Sequence, residues 1–276
     1  MKAVAIIAGK EIRDGLRNRW VVAMTLLMGT LALTLTLLGS APTGTVGVSP
    51  LSVVVVSLSS LTIFLVPLIA LLISYDAIAG EMDRGTMGLL LSYPVARWEV
   101  IAGKFLGATA ILGFATIIGY GAAGAALAIT GGEVEPEAWG AFAVMVGSSI
   151  LLGAAFVALG YLASSLVRDP RTAGGIAIGL WLFFTLIYDM ALLGVLVADQ
   201  GKTVTVALLN FLLLGNPADV FRLLNLTGFS NVSLFAGTAG LAEQLELPKA
   251  ALAAALVAWS AVPLMLSALV FARREM

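Results

Sequence analysis

The chain has 276 residues, 60% of them hydrophobic and only 11% charged, with a net charge of −1 and neither Cys nor His. Soluble domains carry about 25% charged residues, so this composition points away from an aqueous fold. Without Cys or His there is no disulfide framework, no thiolate or imidazole metal centre, no Cys nucleophile and no His general base. The near-neutral balance offers no footprint for nucleic acid. No GxxxxGK[ST] signature occurs, so an ATP-driven process must take its engine from another chain.

The charges are clustered, and the gaps between them set the class. None falls within 20–75, 105–132, 138–167 or 250–272, and 172–198 is broken only by Asp189. A spanning helix needs roughly 20 apolar residues. The first gap divides at the turn-rich stretch 39–50, which predicts six spans: 20–39, 51–74, 105–130, 139–166, 173–197 and 251–271. The fold expected is therefore an all-α polytopic membrane protein, a single transmembrane domain over 1–276. An even number of spans puts both termini on one side. Twelve of the 15 basic residues fall on that side, and only Lys202, Arg222 and Lys249 on the other. The rule that basic residues stay inside predicts cytoplasmic termini, with the acidic loop Glu133–Glu137 and the segment 198–250 outside. Five basic residues precede a first apolar run longer than a signal-peptide core, so span one is expected to remain uncleaved.

Residues 1–19 read as an amphipathic elbow helix lying on the membrane. Ala5, Ala8, Ile12, Leu16 and Trp20 form one stripe, with Lys10, Arg13 and Arg17 on the opposite face. The pattern fits either a basic flank that sets topology or a helix that a partner can move. Between spans two and three, residues 75–104 are far longer than a simple connection needs. They open with Asp76, Glu81 and Asp83. A short apolar helix around Thr86–Leu91 follows, stopped at Tyr93-Pro94, and a second helix leads through Arg97, Trp98 and Lys104 into span three. Met87, Leu89, Leu90 and Leu91 beside the acids Asp76 and Glu81 suggest a patch that docks into a protein groove rather than one resting on lipid.

Outside, Val204–Leu214 and Pro217–Leu226 read as a helical hairpin that ends near Gly228. Asn216 is placed as the N-cap of the second helix, Pro217 at its first position and Asp219 in its first turn. Phe221 and Arg222 are residue types enriched at interface cores. The hairpin suits a lid over the outer mouth and equally a dock for a partner. Within the spans, Asp189 has no basic residue at matching depth. It is expected to face the interior, bonded to Thr185 or Tyr188 or lining a cavity. Ser57, Ser59, Ser60 and Thr62 give span two a polar stripe ahead of Pro67, and span six carries Pro263. Gly103, Gly107, Gly113, Gly119, Gly121 and Gly124 make span three smooth for close packing. A copper path would have to rely on scattered Met24, Met28, Met145, Met190 and Met265, so no metal site is assigned.

Four stretches carry a resemblance: the elbow GKEIRDGLRNRW, SLTIFLVPLIALLISYDAI in span two, YDAIAGEMDRGTMGLLLSYPVARWEVIAGK, and GNPADVFRLLNLTGF after span five. The chain resembles six-span exporter-type ABC transporter permeases, and more narrowly the NosDFY family that matures the copper enzyme nitrous oxide reductase. The resemblance covers nearly the whole chain. It implies a non-catalytic permease in the bacterial inner membrane, paired with a second copy of itself, a NosF-like cytoplasmic ATPase and a NosD-like periplasmic protein. ATP and Mg would then sit on the ATPase, with no cofactor on this chain. By the same resemblance the segment 75–104 is the coupling region that meets the ATPase. The segment 198–250, with Asn216, Asp219, Phe221 and Arg222, is the periplasmic hairpin that meets the outer partner. Alternatives from the residues alone are an exporter of a lipid, glycan, drug or sulfur species, and a passive membrane anchor for a periplasmic protein. A membrane enzyme lacks any visible set of nucleophile, base and metal ligand.

Overall fold

The computed structural model describes residues 2–39, 50–130, 136–199, 205–226 and 247–274. Every regular element among them is helical. Most of the turn at 39–50, residues 133–135 of the acidic loop, Lys202 and the expected stop near Gly228 lie outside the described residues. In chain order the helices are α1 (Lys2–Leu16), α2 (Arg19–Gly39), α3 (Pro50–Ser74), α4 (Ala79–Asp83), α5 (Thr86–Leu91), α6 (Arg97–Thr130) and α7 (Pro136–Leu166). They continue with α8 (Pro170–Leu182), a π-helical turn over Phe183–Ile187, α9 (Tyr188–Asp199), α10 (Val206–Leu214), α11 (Pro217–Leu226) and α12 (Lys249–Arg273). Six of these, with α8, the π-turn and α9 counted as one, are long and apolar enough to cross a membrane, as the charge gaps predict. Spans three and four begin before their charge-free cores: α6 carries on through Arg97, Glu99 and Lys104, and α7 starts at Pro136, a residue suited to the first helical position.

Local chemistry explains the boundaries. Asn18 Oδ1 accepts the Trp20 N–H at 2.9 Å, so the chain breaks after α1 and restarts as α2. Gly85, at φ 72°, makes the turn that separates α4 from α5, a left-handed conformation that favours glycine. Asp169 caps α8 by accepting from the Arg171 and Thr172 N–H groups, with Pro170 at the first position. Most buried hydroxyls answer their own helix: Thr116 donates to Leu112 O, Ser149 to Met145 O and Thr62 to Leu58 O. In an apolar surround such i−4 bonds satisfy a group that has no water to turn to.

The core sits on α7, which packs against α3, α12 and α6, while the far side of α6 carries α1 and α2. Of the apolar stretch of α7, 67% is buried, against 17% for span five. Span five thus stands at the edge and shows Ile178, Leu186, Met190 and Val197 outward. Span three does pack through its glycines. A Cβ at Gly103 would lie 2.8 Å from Ile7 Cβ of α1, and one at Gly119 would lie 3.1 Å from Met28 Cβ of α2. Gly121 meets nothing within 4 Å.

Candidate functional site

Two polar centres lie at opposite ends of the bundle. At the α1 end, Lys104 near the start of span three is 3% exposed and joins two helices from different parts of the sequence. Its Nζ donates to Glu11 Oε1 of α1 at 2.9 Å and to Glu81 Oε1 of α4 at 2.6 Å. A buried ammonium persists only when it is paired in this way. Lys10 extends the network to Glu11 and Asp14, both at 3.2 Å. Burial opposes its charge, but the neighbouring Glu11 and Asp14 outweigh it and hold Lys10 above its ordinary value.

The same end is laced together elsewhere. Ser164 of α7 accepts the Ile78 and Ala79 N–H groups, capping α4 from outside the segment. Asp76 pairs with Arg84 at 3.1 Å across the α4 turn, and its carboxylate lies on Gly80, where any Cβ would collide with it. Arg97, opening α6, donates to the carbonyls of Phe271, Ala272 and Arg274, closing the end of α12. Arg274 in turn donates to Ser165 O and Val167 O at the end of α7. Segment 75–104 is therefore tied to α1, α6, α7 and α12 together.

The helix expected at Thr86–Leu91 forms with those bounds, but its side chains do not all point out. Met87 is 1% exposed and belongs to the core, whereas Leu89 is 70% exposed. Leu90 and Leu91 are half-buried against the same core. The expected outward patch thus reduces to Leu89, with Met87 as the anchor that fixes α5 to the bundle. In α1 the face packed on α6 is a different one from the expected membrane-facing stripe. The face packed on α6 runs through Val4, Ile7, Glu11 and Gly15, which meet Gly103, Gly107 and Ile111. Leu16 and Trp20 are turned outward, 45% and 71% exposed, and Lys10, Arg13 and Arg17 are exposed as well. Periodicity finds a lipid-facing stripe readily; it does not find a face where glycine on the partner helix does the fitting.

At the other end, α10 and α11 form a pair bent by 109°. The second helix enters the bundle against α12, α3 and α7. Asn216 caps it, its Oδ1 accepting from the Ala218 N–H at 3.0 Å, while its Nδ2 donates to Phe184 O of the π-turn at 2.9 Å and to Asp219 Oδ2 at 3.1 Å. Arg222 donates from Nη1 to Asp219 Oδ1 at 2.6 Å and from Nη2 to Asp189 Oδ2 at 2.8 Å. Asn225 Nδ2 donates to Ser148 Oγ of α7 at 2.9 Å.

This overturns two expectations. Asp189 does have a cation at its depth: Arg222, delivered by a helix that re-enters the bundle. Its other expected partners look elsewhere, Thr185 donating to Trp181 O and Tyr188 to Leu212 O. Asn216, Asp219 and Phe221 are at most 1% exposed and Arg222 is nearly buried, so these four form the hairpin's internal scaffold and offer no docking surface of their own. Sequence reasoning passed over Lys104, Glu11 and Arg97. The usable signal was a lone Lys at the foot of an apolar helix, which must find carboxylates, and a lone intramembrane Asp, which left Lys202, Arg222 and Lys249 as candidates. Among the described residues no group of three His, Cys, Asp or Glu is placed to hold a metal ion. Met28 and Met145 are fully packed, while Met190 and Met265 are 67% and 64% exposed.

Six apolar spans, a sharply bent helix pair between the last two and an ion-paired helical segment after the second define a multi-pass membrane protein. The chain matches the family described as ABC-2 family transporter protein over residues 5–276, and it belongs to that family. It is 46% identical over 275 residues to the probable ABC transporter permease protein NosY of Pseudomonas aeruginosa. It is 44% identical over 276 residues to the protein of the same description in Stutzerimonas stutzeri. Each match covers 99% of both chains.

Proposed function

We propose that this chain is the permease of a NosDFY-type system in the bacterial inner membrane, with both termini cytoplasmic. In this reading a second copy of the chain completes the membrane unit. A NosF-like ATPase, carrying ATP and Mg, docks at the α1 end, and a NosD-like periplasmic protein meets the hairpin end. The chain has no catalytic role of its own. It passes ATP-driven motion across the membrane in the service of copper-site assembly on nitrous oxide reductase. Support for the names comes from the relatives at 44–46% identity. Support for mechanical signalling over copper passage comes from the absence of Cys and His and from the dispersal of the Met residues.

The observation that carries the coupling role is the Glu11–Lys104–Glu81 bridge. An ATPase pressing on Leu89 moves α4 and α5, and this ion bridge passes that displacement to α1 and to span three as one body. The test is ATPase activity in the reconstituted complex. Leu89→Asp is expected to leave the permease folded and inserted while ATPase association falls about tenfold, the equivalent of roughly 1.4 kcal/mol. Normal association and normal stimulation of the ATPase in that variant would falsify the assignment of α5.

A further inference from the structure

Between α1, the start of α2, the last turns of α3 and the base of α6 lies a cavity of about 600 Å³, with the Glu11–Lys104–Glu81 bridge in its wall. Its wall changes character from one part to another. Val21, Met24, Leu72, Ile73 and Ile111 line an apolar part. The polar part holds Lys10, Arg84 and Lys104 with Glu11, Asp14, Asp76 and Glu81, so acids outnumber bases by one. Lys104 is already ion-paired with both Glu11 and Glu81. That leaves two mixed pairs at the mouth, Lys10 with Asp14 and Arg84 with Asp76. The Asp76 side chain is 36% exposed, with Oδ2 on Arg84. Trp20 and Leu72, 71% and 41% exposed, stand on the rim. An amphipathic aromatic at that level marks a membrane–water interface.

The geometry points to a binding site for a zwitterionic, amine-bearing phospholipid from the leaflet on which α1 lies. Its ammonium is taken by Asp14 and Asp76, and its phosphate by Lys10 and Arg84. The volume is of small-molecule size and holds a headgroup with its glycerol, not two acyl chains. The chains must leave past Val21, Met24 and Leu72 into the bilayer. An anionic headgroup meets a net-acidic wall, and a quaternary ammonium has no N–H to offer the Asp14 and Asp76 carboxylates. The bound lipid then acts as a strut between α1 and the α3–α4 connection.

The test uses the permease in complex with its ATPase, delipidated in detergent and titrated by native mass spectrometry. The probes are dioleoyl phosphatidylethanolamine, phosphatidylcholine and phosphatidylglycerol. Phosphatidylethanolamine is expected to bind at least about fivefold more tightly than the other two, the scale of one partly exposed ion pair. Asp14→Asn, at a side chain 60% exposed and therefore benign for folding, is expected to erase that preference. Ala108→Phe, which fills the cavity floor, is expected to weaken all three lipids. Chain-free glycerophosphoethanolamine is expected not to compete at the same concentrations. Equal binding of the three lipids, tightest binding of phosphatidylglycerol, an unchanged preference in Asp14→Asn, or full competition by the chain-free headgroup each overturns the assignment.

Discussion

Arg222 sits between two carboxylates of unequal burial, Asp219 at 1% and Asp189 at 20% side-chain exposure. The two ends of this network therefore respond differently to mutation. Arg222→Met strands Asp219 without its cation and is expected to destabilise the protein by about 3–5 kcal/mol. Asp189→Asn leaves the Arg222–Asp219 bond in place and keeps a hydrogen-bonding group, so about 1 kcal/mol is expected. Thermal unfolding in detergent ranks the two, and equal losses would contradict the central place given to Arg222. A second residue-scale prediction concerns pH. Backbone N–H donation from Arg171 and a hydrogen bond from Thr172 hold Asp169 below the ordinary carboxylate range. A depressed folded value means that its stabilisation is present above the unfolded pKa and lost as pH falls through the folded one. The melting difference between wild type and Asp169→Ala is therefore expected to narrow as pH drops through that acidic window, and a constant gap would exclude charge-based capping.

At the scale of elements, the α1–α6 contact depends on missing side chains. A Cβ at Gly103 would lie 2.8 Å from Ile7 Cβ and 3.0 Å from Val4 O, so Gly103→Ala must push α1 away, at about 1–3 kcal/mol. Gly121→Ala in the same helix meets open space and is expected to gain about 0.5–1 kcal/mol from helix propensity alone. Melting curves of the two variants should move in opposite directions. These helices also show what could be read from the residues. The bounds of α5 were legible because Gly85 and Pro94 punctuate the chain whatever surrounds it. The six spans were legible because the bilayer excludes charge. The inward face of α1 was not, because a glycine on a partner helix leaves no mark on the sequence of α1. Nor was the depth of Arg222, since a ten-residue amphipathic helix looks the same lying on a membrane as dipping into a bundle.

For the whole molecule, the α1 end binds four long elements through Lys104, Arg97, Arg274 and Ser164. Span five is held by packing of α8 on α3 and α7, by Phe184 against Phe156 and Trp259, by the Trp181 bond to Phe64 O and by the hairpin. The proposed orientation has a direct check, because the chain contains no Cys and single cysteines report sidedness cleanly. Leu89→Cys is expected to react with an impermeant maleimide only in inside-out vesicles, and Lys249→Cys only in right-side-out ones. The reverse pattern would invert the topology and move the ATPase dock to the hairpin end.

The π-turn over Phe183–Ile187 has a consequence for how span five is phased. Tyr188 N–H donates to Phe183 O, five residues back, so this turn holds one residue more than an α-helix uses. Deleting Leu186 lets the ladder close as ordinary α-helix and leaves everything after it in the same phase against α8, because the π-turn takes up its extra residue within one turn. Trp181 keeps its bond to Phe64, and Tyr188 stays toward Leu212 and Asp189 toward Arg222. The same residues run on as plain α-helix with none removed would turn both away by about 100°. The π-turn thus takes up slack: one continuous helix carries an extra residue without turning its second half away from the hairpin.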